Sequence, residues 1–143
     1  MDPKILNFIS RHRISCLTTL LLDKQPHSAT VHYCHQDDPL TFYFLTERAS
    51  RKCQGLLKGQ ITKASLVIGF SEEEWVTLQL EGEARALVNQ NEDQVARQVF
   101  HRKYLGFNPD NLDPEDVFLS FTPTWWRYTE LKSNPKLVLS SDK

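Results

Sequence analysis

One stretch of the sequence concentrates positive charge beside a hydroxyl group. Five basic residues occur between positions 48 and 63, and no acidic residue interrupts them: Arg48, Arg51, Lys52, Lys58 and Lys63. The pattern predicts a helix over 48–59 that follows a strand, with Ser50 as its N-cap. Free N–H groups, the helix dipole, the Ser50 hydroxyl and two adjacent cations would together bind a phosphate group. The alternative is a solvated basic helix face, which is common in globular proteins.

Histidines and a cysteine form a second group that could do chemistry. His27, His32, Cys34 and His35 lie on a predicted strand over 27–35. Strand alternation puts His32 and Cys34 on one face and the other two on the opposite face, so no three metal ligands converge. We therefore expect no metal site, and we interpret His32 as a hydrogen-bonding residue that lines a pocket or an interface. No residue of the sequence can be assigned as a catalytic acid or base.

Two adjacent tryptophans, Trp125 and Trp126, lie on the last predicted strand. Neighbouring strand residues point to opposite faces, so one indole should point into the fold and the other away from it. Either one packs in the core while the other seals a subunit interface, or one packs near a planar ligand.

The elements that must position these residues are mainly strands. Apolar and β-branched runs predict strands at 14–22, 27–35, 40–46, 64–70, 75–88 and 117–131. The first three should form an antiparallel meander, and Gly82 should mark a bulge in the long fifth strand. A short N-terminal helix capped by Asp2 and a helix over 91–104 complete the pattern. The sequence therefore predicts an α+β fold, mainly antiparallel, with at least six strands in a barrel and peripheral helices.

Composition excludes several classes of function. The chain has 143 residues, of which 40% are hydrophobic and 24% are charged, and its net charge is -1. Such a balance argues against a domain that binds duplex nucleic acid and against a polybasic membrane binder. No apolar run approaches the ~18–20 residues of a membrane span. The first residues lack a secretory signal, and the three cysteines suit a reducing compartment, so we expect a cytoplasmic protein of one domain over 1–143.

The order of these elements resembles a known family. A strand beginning at Ser28, the aromatic strand Phe42-Tyr43-Phe44-Leu45-Thr46 and the following Ser50-Arg51-Lys52 are similar to the FMN-binding split barrels of the pyridoxamine 5'-phosphate oxidase-like family. The resemblance covers about residues 5–131. It implies a split β-barrel, FMN as cofactor, a small-molecule substrate, and a homodimer with the cofactor at the subunit interface.

The resemblance also implies which residues bind the cofactor. Thr46, Ser50, Arg51 and Lys52 match the block that contacts the FMN phosphate. By the same resemblance, Ser28 to Thr30 match the part of the second strand whose backbone passes along the flavin in the family. Thr77 and Gln79 lie near the position before Gly82 where the family often has a polar side chain that contacts the flavin. The complete implied set is Ser28, Ala29, Thr30, Leu45, Thr46, Ser50, Arg51, Lys52, Thr77, Gln79 and Trp126.

Two departures from the family pattern refine the expected function. The second strand lacks the arginine that the true oxidase uses for the phosphate, and the tail that holds pyridoxine phosphate there is absent. We therefore expect a short, less specialised member, a flavin oxidoreductase that acts on a small substrate other than pyridoxamine phosphate. The alternatives are a flavin- or haem-binding sensor without turnover, and a structural dimer that has lost its cofactor.

Overall fold

The computed structural model describes residues 1–142. Its two α-helices are α1 (Pro3–Arg11) and α2 (Gln90–Lys103). Its strands are β1 (Ile14–Leu20), β2 (Pro26–His32), β3 (Cys34–Asp37), β4 (Leu40–Glu47), β5 (Thr62–Ile68), β6 (Val76–Ala86), β7 (Asp116–Glu130) and β8 (Leu137–Ser140). Neither helix in this part of the chain is long and apolar enough to cross a membrane.

All the strands belong to one antiparallel sheet. Its order is β2-β1-β5-β6-β7-β4-β3, and β8 adds to β7 beside this path. Helices pack against this sheet at its end and on one face. The predicted α+β fold, a split barrel of at least six strands with peripheral helices, is confirmed.

The predicted strand over 27–35 is divided at Tyr33. Its first part, β2, pairs with β1, whereas its second part, β3, pairs with β4. The predicted meander is therefore correct in its two hairpins but wrong in treating the middle strand as one continuous ladder. Because β2 and β3 are the two edges of the sheet and only Tyr33 separates them, the sheet has to curl until its edges meet.

The main core fills the inside of this curl, and α1 contributes to it. Ile5, Phe8 and Ile9 recur on one face of α1 and are almost fully buried in the core. The helix begins as predicted, because the Asp2 carboxylate accepts a hydrogen bond from the Lys4 backbone N–H at 2.7 Å.

A second core lies on the outer face of the sheet, beneath α2. Val99 and Phe100 of α2 pack against Phe118 of β7, together with Cys34 and Tyr43. The predicted helix over 91–104 is thus confirmed, and the Asn89 side chain caps it. Helix α2 covers β3, β4, the adjoining half of β7 and the end of β6 at Arg85. Within residues 1–142, no helix covers the outer face of β2, β1, β5 and the remaining parts of β6 and β7.

Gly82 lies at a β-bulge between β6 and β7, as the sequence predicts. The register shifts between Glu81 and Gly82, so that Thr124 is an extra residue on β7. A Cβ atom at Gly82 would lie 2.1 Å from the Thr122 carbonyl oxygen and 2.8 Å from the Pro123 Cα. Only glycine allows the two backbones to approach so closely.

Strand β8 was not expected from the sequence. Its residues pair with the end of β7, where Ser140 lies opposite Arg127 and Leu137 opposite Glu130. Leu137 and Leu139 pack against the main core, which explains why this short apolar segment joins the sheet.

The bulge gives a prediction for stability. We expect Gly82→Ala to lower the free energy of unfolding by at least about 2 kcal/mol, because the atoms that the new methyl group meets belong to the backbone and cannot move aside cheaply. Gly106→Ala is the matched control, since nothing lies within 4 Å of a Cβ at that position. Urea denaturation of both variants measures the effect, and equal stabilities would contradict the bulge geometry.

Candidate functional site

The predicted phosphate-binding residues lie in a turn that directly follows β4, which we call the basic turn (residues 46–53). Thr46 is near the end of β4, and its Oγ1 lies 3.5 Å from the Ser50 Oγ. The backbone N–H of Ser50 donates to the Glu47 carbonyl at 3.0 Å and closes the turn. The structure thus brings the Thr46 and Ser50 hydroxyl groups together directly before Arg51 and Lys52 in the chain.

The helix predicted over 48–59 is wrong. Two single 3₁₀ turns replace it, Arg51–Cys53 and Leu57–Gly59, and Ser50 makes no side-chain cap. The Ser50 hydroxyl instead donates to the Cys53 Sγ at 3.4 Å, and that thiol donates to the Glu47 carbonyl at 3.6 Å. A single turn has almost no macrodipole, so anion binding here would depend on side chains and not on a helix terminus.

A buried threonine of β1 fixes the basic turn to the sheet. The Thr19 Oγ1 donates to the Lys52 carbonyl at 3.0 Å, and Thr19 is fully buried. Neither Thr19 nor Cys53 was singled out from the sequence as part of the site. A signal for Thr19 was present, because it shares an inward strand face with Leu17, and a buried hydroxyl needs a hydrogen-bond partner.

The cations of the basic turn have no acidic partner among residues 1–142. No carboxylate lies within 4.0 Å of Arg51 or Lys52, whereas Lys63 pairs with Glu83 at 3.5 Å. Arg51 is exposed, and Lys52 is partly buried. Two hydroxyls beside two unneutralised cations are a donor set that fits a phosphate monoester.

Strand β2 passes close to the basic turn and forms an edge of the sheet. In residues 1–142 it pairs with β1 alone, so the other side of its backbone has no strand partner. Ser28 and Thr30 are exposed on the outer face, and the Ser28 hydroxyl lies 2.6 Å from the Thr18 hydroxyl. Ala29 alternates with them and is partly buried. A planar molecule could lie against this edge and the basic turn together.

The other predicted residues do not converge on the basic turn within one chain. Thr77 and Gln79 lie on the outer face of β6. Successive cross-strand pairs connect Gln79 to Thr30 of β2, three strands away, which corresponds to a distance of about 14 Å between the two residues. Leu45 packs against the second core. Trp126 packs against the main core, on the inner side of the sheet.

The two tryptophans point in opposite directions, as the sequence predicts. Trp126 contacts the main core, while the Trp125 indole N–H donates to Asp142 Oδ2 at 2.9 Å on the outside. The Arg127 guanidinium lies 5.5 Å from the Trp125 ring centre. Trp125 therefore belongs to the part of the outer face that α2 leaves open.

That open part is a continuous surface, which we call the uncovered face. It consists of outward residues of five neighbouring strands: Ser28, Thr30, Cys16, Thr18, Ser65, Val67, Gln79, Glu81, Trp125 and Arg127. A groove of about 480 Å³ crosses it between Thr18, Ser65, Glu81 and Thr124. Val67, on the middle strand β5, lies near the centre of the uncovered face, between Cys16 of β1 and Gln79 of β6.

The histidines are not gathered around a metal position. No group of three His, Cys, Asp or Glu side chains in residues 1–142 is placed to hold a metal ion. The His32 ring packs edge-on against Tyr104 at 5.8 Å between ring centres, and His35 Nε2 lies 3.0 Å from Asp37. Burial lowers the pKa of His35 even though Asp37 opposes this effect.

A family model described as pyridoxamine 5'-phosphate oxidase matches residues 1–130. No curated protein sequence matches the chain significantly.

Solved structures share the fold at low sequence identity. General Stress Protein 26 from Bacillus anthracis is 24% identical with a TM-score of 0.67, and the match covers 95% of each chain. A conserved hypothetical protein from Mycobacterium tuberculosis has a TM-score of 0.71 at 18% identity, over 92% of this chain and 86% of the other. A pyridoxamine 5'-phosphate oxidase-related, FMN binding protein from Nostoc punctiforme has a TM-score of 0.69 at 15% identity, over 98% and 90% of the two chains.

The anchor of the basic turn gives a second prediction. Thr19→Val keeps the shape of the side chain but leaves the Lys52 carbonyl without its donor, so we expect the free energy of unfolding to fall by about 1–3 kcal/mol. Thr122→Val is the control, because Thr122 is an exposed strand threonine. Thermal and urea denaturation measure both variants, and a Thr19→Val protein as stable as the control would contradict the anchoring role.

Proposed function

Because the chain belongs to the pyridoxamine 5'-phosphate oxidase family, we propose that it binds FMN and acts as a flavin-dependent oxidoreductase on a small substrate. The bound isoalloxazine ring would supply the redox chemistry, and the protein would bind and orient it. The observation that carries this proposal is the pairing of the Thr46 and Ser50 hydroxyls beside Arg51 and Lys52, two cations without an acidic partner in the described chain.

Each residue of the basic turn has a role toward the phosphate. Arg51 and Lys52 would balance the dianionic charge, and the Thr46 hydroxyl would donate a hydrogen bond. The Ser50 hydroxyl has a single proton, which it donates to the Cys53 Sγ in this structure, so it would rotate toward the phosphate to donate to it. Thr19 and Cys53 would hold the turn in place without touching the ligand, since their own hydrogen bonds go to backbone and to Ser50. The backbone of β2 at Ser28–Thr30 would then lie along the planar ring.

We also propose that the functional unit is a homodimer with two flavin sites at its interface. Gln79 lies about 14 Å from the β2 edge of its own chain, and Thr77 lies two residues away on the same strand. As contacts of a flavin at the basic turn, these two residues would therefore come from a second copy of the chain. The uncovered face offers the surface for such a copy, because a two-fold interface uses the same patch on both subunits.

The substrate is proposed to be a small molecule other than pyridoxamine phosphate. Ser28-Ala29-Thr30-Val31-His32 carries no arginine, and the C-terminal residues 137–140 are paired with β7 as β8. The three cysteines form no disulfide, which supports a cytoplasmic location.

The direct test of cofactor binding is a visible absorption spectrum. The purified protein is mixed with FMN, passed through a gel-filtration column, and scanned. A retained two-banded flavin spectrum supports the proposal. A protein that remains colourless, or one that carries a Soret band instead, overturns FMN as the cofactor.

The basic turn gives a quantitative prediction. Lys52→Ala removes one charge-assisted contact worth about 1.5–3 kcal/mol, so FMN affinity should fall by about ten- to a hundredfold while the fold is kept. Lys58→Asn is the matched control: it removes the same charge from the next 3₁₀ turn, and asparagine tolerates the backbone φ of 72° at that position. Fluorescence titration of FMN measures both affinities. Equal losses in the two variants would mean that only the general charge of the segment matters.

The proposed interface gives another prediction. Val67→Lys places a charge near the centre of the uncovered face. In the proposed dimer, with the two-fold axis passing close to this centre, the two lysines would face each other. We expect a monomer in sedimentation and an FMN affinity at least about tenfold weaker, because each flavin would lose its partner-subunit contacts. Val95→Lys on the exposed side of α2 should change neither property. A Val67→Lys dimer with normal affinity would refute this placement of the interface.

A further inference from the structure

Arg127 of β7 is a cation of the uncovered face that lies outside the proposed set of flavin contacts. It is exposed, and no carboxylate of residues 1–142 lies within 4.0 Å of its guanidinium. It is the one cation among the residues that define the uncovered face, and Lys63, further along β5, is already paired with Glu83 at 3.5 Å. Arg127 therefore brings a positive charge without a counter-ion to the surface that the proposed dimer buries.

Neighbouring side chains hold the Arg127 guanidinium in place. It lies 5.5 Å from the centre of the Trp125 ring, two residues earlier on the same strand. The Trp125 indole N–H in turn donates to Asp142 Oδ2 at 2.9 Å, and the Asp142 backbone N–H donates to Ser140 Oγ at 3.0 Å. A guanidinium over an aromatic ring keeps the N–H donors at its edges free. The cation is thus positioned in advance, with donors that remain available to a ligand.

Cross-strand pairs place Arg127 in one row with a proposed flavin contact. Its direct partner on β6 is Gln79. The same row continues over β5 and β1 to β2, where it ends at Thr30. Arg127 is four strands from Thr30, which corresponds to about 19 Å, so its side chain cannot reach a ligand at the β2 edge of its own chain. Val67 of β5 lies in the middle of this row, with two strands on either side.

The direction of the two-fold axis decides what Arg127 faces in a dimer. An axis that runs along β5 through Val67 lays β6 of one copy over β1 of the other, and β7 over β2, so that Arg127 lies over Thr30 of the partner subunit. This direction moves Gln79 toward the β2 edge of the second copy, as the proposed function requires. An axis across the strands would instead lay each strand over itself and set two Arg127 side chains against each other, which is repulsive.

A dimer of this kind needs an anion that the protein does not supply. The outward residues of β2 and β1 in this region are neutral: Ser28, Thr30, Cys16 and Thr18. An arginine that is buried against neutral groups keeps an uncompensated charge, which is destabilising. Strand β2 itself carries neither lysine nor arginine. A phosphate group at the border of β2 and the basic turn would provide the missing counter-ion.

We propose that Arg127 of the partner subunit is the third cation of the FMN phosphate site, in addition to Arg51 and Lys52 of the basic turn. This role rests on the proposed function, because it needs both the FMN and the dimer. One copy supplies the basic turn and the β2 edge, and the other supplies Arg127 beside Gln79. The planar fork of guanidinium donors suits the phosphate oxygens. Neither copy alone then has a complete site.

The first test compares FMN with riboflavin, which lacks the phosphate group. Arg127→Gln should weaken FMN binding about ten- to a hundredfold, the effect of one charge-assisted contact, and should change riboflavin binding by less than about twofold. Arg102→Gln, which removes an exposed arginine from α2, is the matched control and should change neither affinity. Fluorescence titration measures the affinities. Equal losses for the two ligands, or an unchanged FMN affinity, would contradict the phosphate contact.

Mixed dimers show which copy supplies the arginine. A chain with Lys52→Ala and a chain with Arg127→Gln carry different tags, and their mixed dimer is isolated on both tags. If Arg127 acts on the partner's site, one site combines a native basic turn with a native Arg127, and the other site carries both changes. Half of the sites should then bind FMN as tightly as the unaltered protein does. If no site has this affinity, Arg127 does not act across the interface and the proposal is overturned.

Failure of the proposed function gives a different result. An unaltered protein that retains no FMN after gel filtration, or that sediments as a monomer, contradicts the proposed function and with it this role of Arg127. A dimer that binds FMN, and whose Arg127→Gln variant binds FMN equally tightly, contradicts the role of Arg127 alone.

Discussion

The fold depends on the constraint that one residue joins both edges of the sheet. Tyr33 links β2 to β3, which lie at opposite ends of the strand order, and the hydrogen bonds around it hold that junction. Its hydroxyl donates to the Ile9 carbonyl at 2.6 Å, its N–H donates to the Arg13 carbonyl at 3.1 Å, and its carbonyl accepts from the Tyr104 hydroxyl at 2.6 Å. Tyr33 therefore fixes the curl of the sheet, and its hydrogen bonds also fix the positions of α1 and α2.

Curling of the sheet also decides which surfaces are available for function. The inner face is filled by the main core, and α2 covers one half of the outer face. The other half, the uncovered face, ends at the β2 edge, and the basic turn lies beside this edge because Thr19 of β1 holds it there. A cofactor site at this border and a subunit interface on the uncovered face are thus parts of one surface, which is why the proposed flavin site and the proposed dimer depend on each other.

The sequence predicted those features that follow from local periodicity and from single residues with strong preferences. Asp2 caps α1 and Gly82 marks the bulge, because each of these choices is determined by neighbouring backbone groups. The helix predicted over 48–59 from the sequence pattern does not form, because tertiary contacts determine the conformation there. A Cβ at Gly55 would lie 2.5 Å from the Leu20 carbonyl oxygen, so this segment packs closely against the end of β1 and forms 3₁₀ turns. The division of the strand at Tyr33 could not be predicted either. Tyr33 continues the alternation of inward and outward side chains, and only the strand that accepts the backbone hydrogen bonds changes, from β1 to β4.

The correction at the basic turn changes the physics of the candidate site. A capped helix would attract any anion through its terminus, whereas two hydroxyls and two cations on a single turn require a ligand that engages all of them together. Such a set favours a phosphate monoester with three accessible oxygens over a halide or a single carboxylate.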